Sequence, residues 1–329
     1  MKSSTEMKVS VSIVTYNHAK FVRQTLDSVL CQQTNFDFEI IVGDDLSKDN
    51  TREILAEYQA RYPDKIRLLL HPQNMGNNGM YNALATFKEA RGEYIAQMDG
   101  DDYWINPHKL QKQADMLDQH PEYSACFTNA LKVFEDEQYE PFVLVDEKKP
   151  FYTVDDLIGE EEIFFMATSS IMFRKNAIPE YPAWYYQSQS GDIPRNVLLA
   201  KAGPIGYIDE TMSVYRKNRA GASYSDNEKD RAFLNNRILM YSNINQELDY
   251  KYDKLLRKNI ARYYKLMLEA NQYKDSYFRR AGVALKYLYL GKPKPEVAKE
   301  IIQNYILPAP VMKLYSAIRL MPHRLMDRS

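Results

Sequence analysis

Apolar and polar positions change period repeatedly along the first hundred residues, and each change marks an element. Residues 9–15 (VSVSIVT) are a short run rich in β-branched side chains, which predicts a buried strand. Residues 21–30 then set Phe21, Val22, Leu26, Val29 and Leu30 at helical spacing. The alternation continues with a strand at 38–42 (FEIIV) and a helix at 51–62, with Asp49 or Asn50 as its N-cap. A strand at 66–70 (IRLLL) and a helix at 77–91, ending at Gly92, come next. A fourth strand at 93–98 (EYIAQM) runs directly into Asp99-Gly100-Asp101-Asp102. This β-α-β-α-β-α-β order predicts an α/β fold with a mostly parallel, doubly wound sheet flanked by helices and joined by right-handed crossovers. Ligands of such sheets sit beyond the carboxyl ends of the strands, so the polar residues after each strand are the ones to read.

From about residue 108 the pattern turns mixed. A helix at 109–119 precedes strand-like segments at 124–134 and 169–174, and a helix at 194–201 precedes a strand at 206–215. From about 228 the chain reads as helices, at 230–248, 251–271, 276–290 and 295–305, with a last amphipathic piece at 311–320. The stretch 220–227 (AGASYSDN) is the best boundary between the two regions. Charge separates them too. Residues 1–225 carry 23 Lys and Arg against 33 Asp and Glu, whereas residues 226–329 carry 20 against 11. A basic C-terminal region points to an anionic partner, a membrane surface or a phosphorylated acceptor, or to a plain solvated helical face.

Composition narrows the class. A length of 329 residues allows one large α/β domain with an appendage, or two domains, and 45% hydrophobic with 26% charged residues excludes a disordered chain. No run approaches the ~18 apolar residues that a membrane-spanning helix needs. The N-terminal apolar run is short, contains Ser and Thr, and reads as a strand rather than a secretory signal. Cys31 and Cys126 are too few for a disulfide framework or a zinc site and fit helix and strand core positions. The expectation is a reduced, cytoplasmic protein.

Four strand ends supply the candidate chemistry: Thr15-Tyr16-Asn17-His18, then Asp44-Asp45, then His71, Asn74 and Gly76, then Asp99-Gly100-Asp101-Asp102. Three carboxylates within four residues repel one another unless a cation or a donor network neutralises them. Mg²⁺ and Mn²⁺ take oxygen ligands and commonly combine one or two carboxylates with substrate phosphates. The turn therefore reads as a metal-diphosphate bridge, or else as an Asx turn or helix N-cap. Neither a G-x-G-x-x-G loop nor a P-loop is present, so phosphate charge falls to metal and basic side chains. Trp104 stacks on a ligand or anchors its loop, and Tyr185 and Tyr186 lie in a loop suited to an acceptor.

Val11-Ser12-Ile13-Val14-Thr15-Tyr16-Asn17, then Ile41-Val42-Gly43-Asp44-Asp45-Leu46-Ser47-Lys48-Asp49-Asn50-Thr51, then Met98-Asp99-Gly100-Asp101-Asp102 with Pro107, resemble the family 2 glycosyltransferases. The resemblance covers residues 9–110 and extends more loosely to about 223. It implies a GT-A fold, Rossmann-like, as a catalytic domain over 1–225. The nucleotide-sugar half would be 1–107 and the acceptor half 108–225, followed by a basic helical region at 226–329. It also implies an inverting transfer of a sugar from a nucleotide diphosphate sugar, with a UDP-sugar favoured by Asp45, which would accept from a uracil-like imide. The acceptor would be a saccharide or lipid-linked saccharide, in surface polysaccharide assembly.

Carried onto these positions, the resemblance implies donor binding by Thr15, Tyr16, Asn17, Asp45, Asn74, Asp99, Gly100, Asp101 and Arg216. Asp101, Asp102 and Asn218 would hold Mn²⁺ or Mg²⁺, and Asp192 in Ser190-Gly191-Asp192 would be the general base. The bland reading of Asp192 is the N-cap of the following helix, with Pro194 just inside. Many family members have Tyr-Arg-x-His where this chain has Tyr215-Arg216-Lys217-Asn218, and Asn cannot carry charge. A non-catalytic nucleotide-sugar binding subunit and a metal-dependent nucleotidyltransferase are the rival readings. No nucleic-acid partner is expected. For the basic C-terminal helices two readings stand: peripheral membrane contact at the inner face of the plasma membrane, or docking on the catalytic domain or a second subunit.

Overall fold

A computed structural model describes residues 7–134, 138–142, 148–159, 166–217, 230–270, 272–273 and 275–308. The chain divides into two compact units, Met1–Asn227 and Glu228–Ser329.

In the first unit the strands are β1 (Val9–Thr15), β2 (Phe38–Asp44), β3 (Ile66–Leu70), β4 (Tyr94–Asp99), β5 (Tyr103–Trp104), β6 (Ala125–Phe134), β7 (Tyr139–Phe142), β8 (Phe151–Tyr152), β9 (Met172–Arg174) and β10 (Ile205–Lys217). The helices are α1 (Val22–Leu30), α2 (Thr51–Arg61), α3 (Met80–Glu89), α4 (Lys109–Gln119), the short α5 (Val154–Leu157) and α6 (Asp192–Ala202). Among the described residues these strands make one sheet in the order β3-β2-β1-β4-β9-β6-β10-β5, with β7 on β6 and β8 on β10.

The half made of β3, β2, β1 and β4 is parallel, as the β-α alternation requires. Beyond it the sheet is mixed: β9 runs antiparallel to both β4 and β6, while β10 is parallel to β6. Central position explains why β1 is covered on both sides. Val9, Val11 and Ile13 enter the apolar core. Ser10 on the other face donates to Glu39 at 2.7 Å, and the Ser12 hydroxyl lies 2.5 Å from that of Thr86 on α3. An apolar-polar alternation that would suit a half-exposed strand is here buried at every position but Val14.

Some local expectations change. The helix expected at 77–91 begins at Met80, after a 3₁₀ turn at Asn77–Gly79. The strand expected at 169–174 is a 3₁₀ turn, Thr168–Ser170, followed by β9. Cys31 is exposed at the end of α1 rather than in the core, whereas Cys126 is buried. Asp49 accepts from the Thr51 N–H and hydroxyl at the start of α2, so the capping oxygen comes from Asp49 while Asn50 occupies the cap position.

The second unit contains α7 (Arg231–Glu247), α8 (Asp253–Glu269), α9 (Tyr277–Gly291) and α10 (Pro295–Ile301). Asp230 caps α7 by accepting from the Ala232 and Phe233 N–H groups at 2.6 and 3.0 Å. Helix α8 packs against α7 and α9, and the rings of Tyr241 and Tyr263 meet at 5.5 Å. No helix among the described residues is long and apolar enough to cross a membrane. The amphipathic piece expected at 311–320 lies outside the described residues.

Candidate functional site

Strand register gathers the predicted residues at one edge. Thr15 pairs with Asp44 across β1 and β2, and Val14 with Asp99 across β1 and β4. The residues after these strands, Tyr16, Asn17, Asp45, Gly100 and Asp101, therefore emerge side by side.

The β1 and β2 loops are knitted together first. The buried Asp44 carboxylate accepts from the Thr15 hydroxyl at 3.0 Å, from the Ser47 N–H at 3.0 Å and hydroxyl, and from the Arg52 guanidinium. Arg52 also donates to the His71 carbonyl at 2.6 Å, tying in the end of β3. Asn17, at φ 57°, donates its backbone N–H to the Ser47 hydroxyl oxygen at 2.9 Å, and its side-chain oxygen accepts from the Lys48 N–H at 2.8 Å. Asp45 is 5% exposed; its N–H donates to the Thr15 carbonyl at 2.9 Å and its carboxylate accepts from the Met75 N–H. Asn74 donates to the Asp45 carbonyl at 2.9 Å, so these two predicted donor contacts meet. Tyr16 stands exposed at the rim.

The Asp99–Asp102 turn is equally constrained. Gly100 donates to the Val14 carbonyl at 2.8 Å, and a Cβ there would lie 2.5 Å from Thr15 Cγ2 and 2.8 Å from His18 Nδ1. Only a residue without a side chain lets the turn approach β1 this closely. The Thr25 hydroxyl sits against the carbonyls of Gly100 and Asp102, at 2.9 and 2.7 Å. Trp104 is an anchor: it is buried, and its indole N–H donates to the Ser169 carbonyl at 2.9 Å. Arg216 holds the turn from β10. Its N–H donates to Asp102 at 2.8 Å and its guanidinium to the Asp101 carbonyl and, at 2.7 Å, to Gln24, with the Phe21 and Tyr103 rings 4.6 and 5.0 Å away.

Burial and crowding shape the charges. Asp99 is pushed up to about 7 by burial, then by the Asp101 and Asp192 charges, with Arg195 opposing. Asp102, wholly buried, is held well above the usual carboxylate range by burial and by Asp101 and Asp99. One of its oxygens takes the Arg216 N–H. The other has no hydrogen-bond partner among the described residues, although the Ser169 hydroxyl is near enough to ease its charge. Among the described residues no group of three or more His, Cys, Asp or Glu is arranged as a metal cage. The donor set is nonetheless all oxygen, crowded with like charge, and includes an orphaned buried carboxylate oxygen. That fits a hard divalent ion shared with a substrate's phosphates better than a protein-only cage. Asn218 lies outside the described residues.

Asp192 occupies the first turn of α6, with Gly191 at the cap position, so it is not itself the N-cap. Its Oδ1 accepts from the Ser190 hydroxyl at 2.6 Å and from the Ile193 N–H at 2.9 Å. Asp192 lies within electrostatic reach of Asp99, and both act on the Tyr215 phenol together with Asp101 and Asp102. Burial and these four carboxylates strongly oppose Tyr215 ionisation. Two residues absent from the sequence-based set stand out. Tyr215 is one. Arg195 is the other: 2% exposed, it donates to Gln97 on β4 and opposes the Asp99 charge. Its position three residues after Asp192 on a helix was the available signal.

Residues 10–181, just over half of the chain, match Glycosyl transferase family 2. The chain belongs to glycosyl transferase family 2. The family match spans the strand-end loops and the Asp99–Asp102 turn and stops short of Asp192 and Arg216. An uncharacterized protein of Mycobacterium tuberculosis is 34% identical over 233 residues, covering 67% of this chain and 63% of the relative, so the chain spans under two thirds of that relative's length. Poly(ribitol-phosphate) beta-N-acetylglucosaminyltransferase TarS of Staphylococcus aureus is 36% identical over 115 residues, 35% of this chain and 19% of TarS. The crystal structure of TarS 1–349 in complex with UDP shares the fold, with TM-score 0.60 at 19% identity over 95% of this chain and 87% of that one. So does the mannosyltransferase PcManGT of Pyrobaculum calidifontis in complex with GDP-Man and Mn²⁺, with TM-score 0.50 at 16% identity over 98% and 82%. This family 2 chain shares the α/β fold of these structures and carries C-terminal helices.

Proposed function

We propose that the protein transfers a sugar, with inversion, from a nucleoside diphosphate sugar to a saccharide or lipid-linked saccharide, with Asp192 as general base. The observation that carries this is the strand register that brings Thr15, Asp45 and Asp99 to one sheet edge, with Asp192 near enough for its charge to bear on Asp99. Asp45, tied to Asn74 and Met75 beside Tyr16 and Asn17, supports a nucleobase pocket with a carboxylate acceptor, which favours uracil. The ligands bound in the fold relatives, UDP and GDP-Man, agree with a nucleotide-sugar donor.

In the transfer, the acceptor hydroxyl loses its proton to Asp192 as its oxygen attacks the anomeric carbon. The bond from that carbon to the diphosphate oxygen breaks, and its electron pair leaves with the nucleoside diphosphate. Ser190 and the Ile193 N–H both engage Oδ1, so Oδ2 is the oxygen that takes the proton. One displacement inverts the configuration. Asp101, with Asp99 and the orphaned oxygen of Asp102, would hold Mn²⁺ or Mg²⁺, which when bound offsets charge on the departing diphosphate. Arg216 keeps that turn in place. The excess of Lys and Arg over residues 226–329 supports peripheral contact with an anionic membrane on the cytoplasmic side, where lipid-linked acceptors for surface polysaccharide would be met.

The test is release of nucleoside diphosphate from UDP-, GDP- and dTDP-sugars with Mn²⁺ or Mg²⁺ and a membrane-lipid extract as acceptor, comparing wild type with Asp192→Asn. We expect metal-dependent release with one donor class and a fall of roughly 10²–10⁴ in the variant at unchanged donor affinity. Equal turnover by both proteins would remove Asp192 as the base.

A further inference from the structure

The connection from β3 to α3 has an unusual backbone. Gly76, Asn77, Asn78 and Gly79 follow one another at φ 74°, 53°, 51° and 78°. Four consecutive residues in the left-handed region are costly for L-residues, and glycine and asparagine are the types that tolerate it best. A run of this kind persists where surrounding contacts over-determine it.

Those contacts lie at both ends. Upstream, Asn74 and the Met75 N–H are bonded to Asp45, and Asn74 Oδ1 accepts from the Gly76 N–H at 3.0 Å. Downstream, the left-handed backbone aims two amide groups at the loop before α6. Asn77 Nδ2 donates to the Ser188 carbonyl at 2.9 Å and the Tyr186 carbonyl at 3.3 Å. Asn78 Nδ2 donates to the Gln189 carbonyl at 2.9 Å. The Tyr81 hydroxyl adds a second donor to the Tyr186 carbonyl at 2.9 Å. From that loop the chain of bonds continues: Ser188 Oγ donates to the Ser190 carbonyl at 2.7 Å, and Ser190 Oγ to Asp192 at 2.6 Å.

We propose that Asn77 and Asn78 are positioning residues for Asp192. Their amides pin the backbone of Tyr186–Gln189, and the pinned loop sets Ser190, which orients the Asp192 carboxylate. The donor pocket at Asp45 and the base at Asp192 are thereby built on the two ends of one short, rigid segment. Neither asparagine need touch a substrate. The inference rests on Asp192 acting as the base.

Asn→Asp separates the two roles of these residues. Aspartate keeps the size of the side chain and much of its tolerance for positive φ, but replaces an N–H donor with an oxygen that repels the loop carbonyls. For Asn77→Asp/Asn78→Asp, assayed with the donor sugar found active and the membrane-lipid extract, we expect kcat to fall about 10- to 100-fold, as displacement of a catalytic group by about 1 Å would cause. Donor Kd, measured by calorimetry, should stay within about twofold of wild type, since the Asp45 contacts are kept. Asn77→Gly/Asn78→Gly, which removes the donors without adding charge, should lose kcat in the same way and serves if the aspartate pair fails to fold. Wild-type kcat in either folded double variant, or equal loss of kcat and donor affinity, would overturn the proposal. Asp192→Asn is run beside them. If it is fully active, the base reading fails and takes this inference with it. If it is inactive while the double variants match wild type, only the positioning role fails.

Discussion

Lys109 is fully buried at the start of α4, with its Nζ 2.6 Å from Gln113 Oε1 and 4.4 Å from the centre of the Trp104 ring. No carboxylate pairs with it among the described residues. Burial lowers its pKa from 10.5 to about 7, with a small opposing effect from Cys126. Between those values the unfolded chain holds a proton that the folded protein has released, so folding stability rises with pH across that window. Below pH 7 both states are protonated and the penalty is constant; above 10.5 it vanishes. The shift corresponds to about 5 kcal/mol over the whole window, or about 1.4 kcal/mol per pH unit. Lys109→Met keeps the length and apolar body and removes the titrating group, but leaves Gln113 Oε1 without its donor, at about 1–3 kcal/mol. The variant should therefore be the more stable protein at pH 7 by roughly 2–4 kcal/mol and the less stable one above pH 10. The two curves cross between about pH 8 and pH 10. Urea denaturation at pH 7, 8, 9 and 10 measures this, and because Trp104 and Trp184 both belong to the first unit, tryptophan fluorescence follows that unit alone. A difference between variant and wild type that does not change with pH would refute the reasoning, since it would mean that Lys109 keeps one protonation state throughout.

Two further outcomes follow from the Asp99–Asp102 turn. Above about pH 7 an ionised, half-buried Asp99 sits with the charges of Asp101 and Asp192, so Asp99→Asn should raise the thermal midpoint at pH 8, raise it less at pH 5 where wild-type Asp99 is protonated, and abolish donor binding. Calorimetric scans at the two pH values check the sign; a larger gain at pH 5 would contradict it. Gly100→Ala puts a methyl group 2.5 Å from Thr15 Cγ2 and 3.0 Å from the Val14 carbonyl. It should destabilise the first unit by about 1–3 kcal/mol and weaken donor binding as the turn lifts from β1, measured by denaturation and by UDP titration.

Much of the nucleotide-side architecture was legible because it is local. Val9–Thr15 and Phe38–Asp44 carry β-branched runs, the intervening helix has its apolar residues at helical spacing, and polar residues mark each strand end. In-register parallel pairing then follows closely from the alternation, and it is enough to bring Thr15, Asp45 and Asp99 to one edge. The left-handed turn at residues 76–79 was hidden inside an apparently helical segment. Helical spacing of the apolar residues says nothing about the φ angles of the polar ones before them.

Sequence by itself determined which segments are strands and helices in the first hundred residues, and that carboxylates gather at strand ends, since period and turn chemistry are properties of neighbouring residues. Tertiary structure alone decided which distant groups meet. The charge of Glu39, at the second position of β2, is buried against Ser10, Arg67 and Arg91. Lys109 is buried without a carboxylate partner among the described residues. Arg195 and Asp192, nearly a hundred positions later in the sequence, reach Asp99, and Arg195 bonds Gln97 on the same strand. Periodicity fixes the face a residue occupies. The partner on that face depends on strand order, which no local pattern encodes.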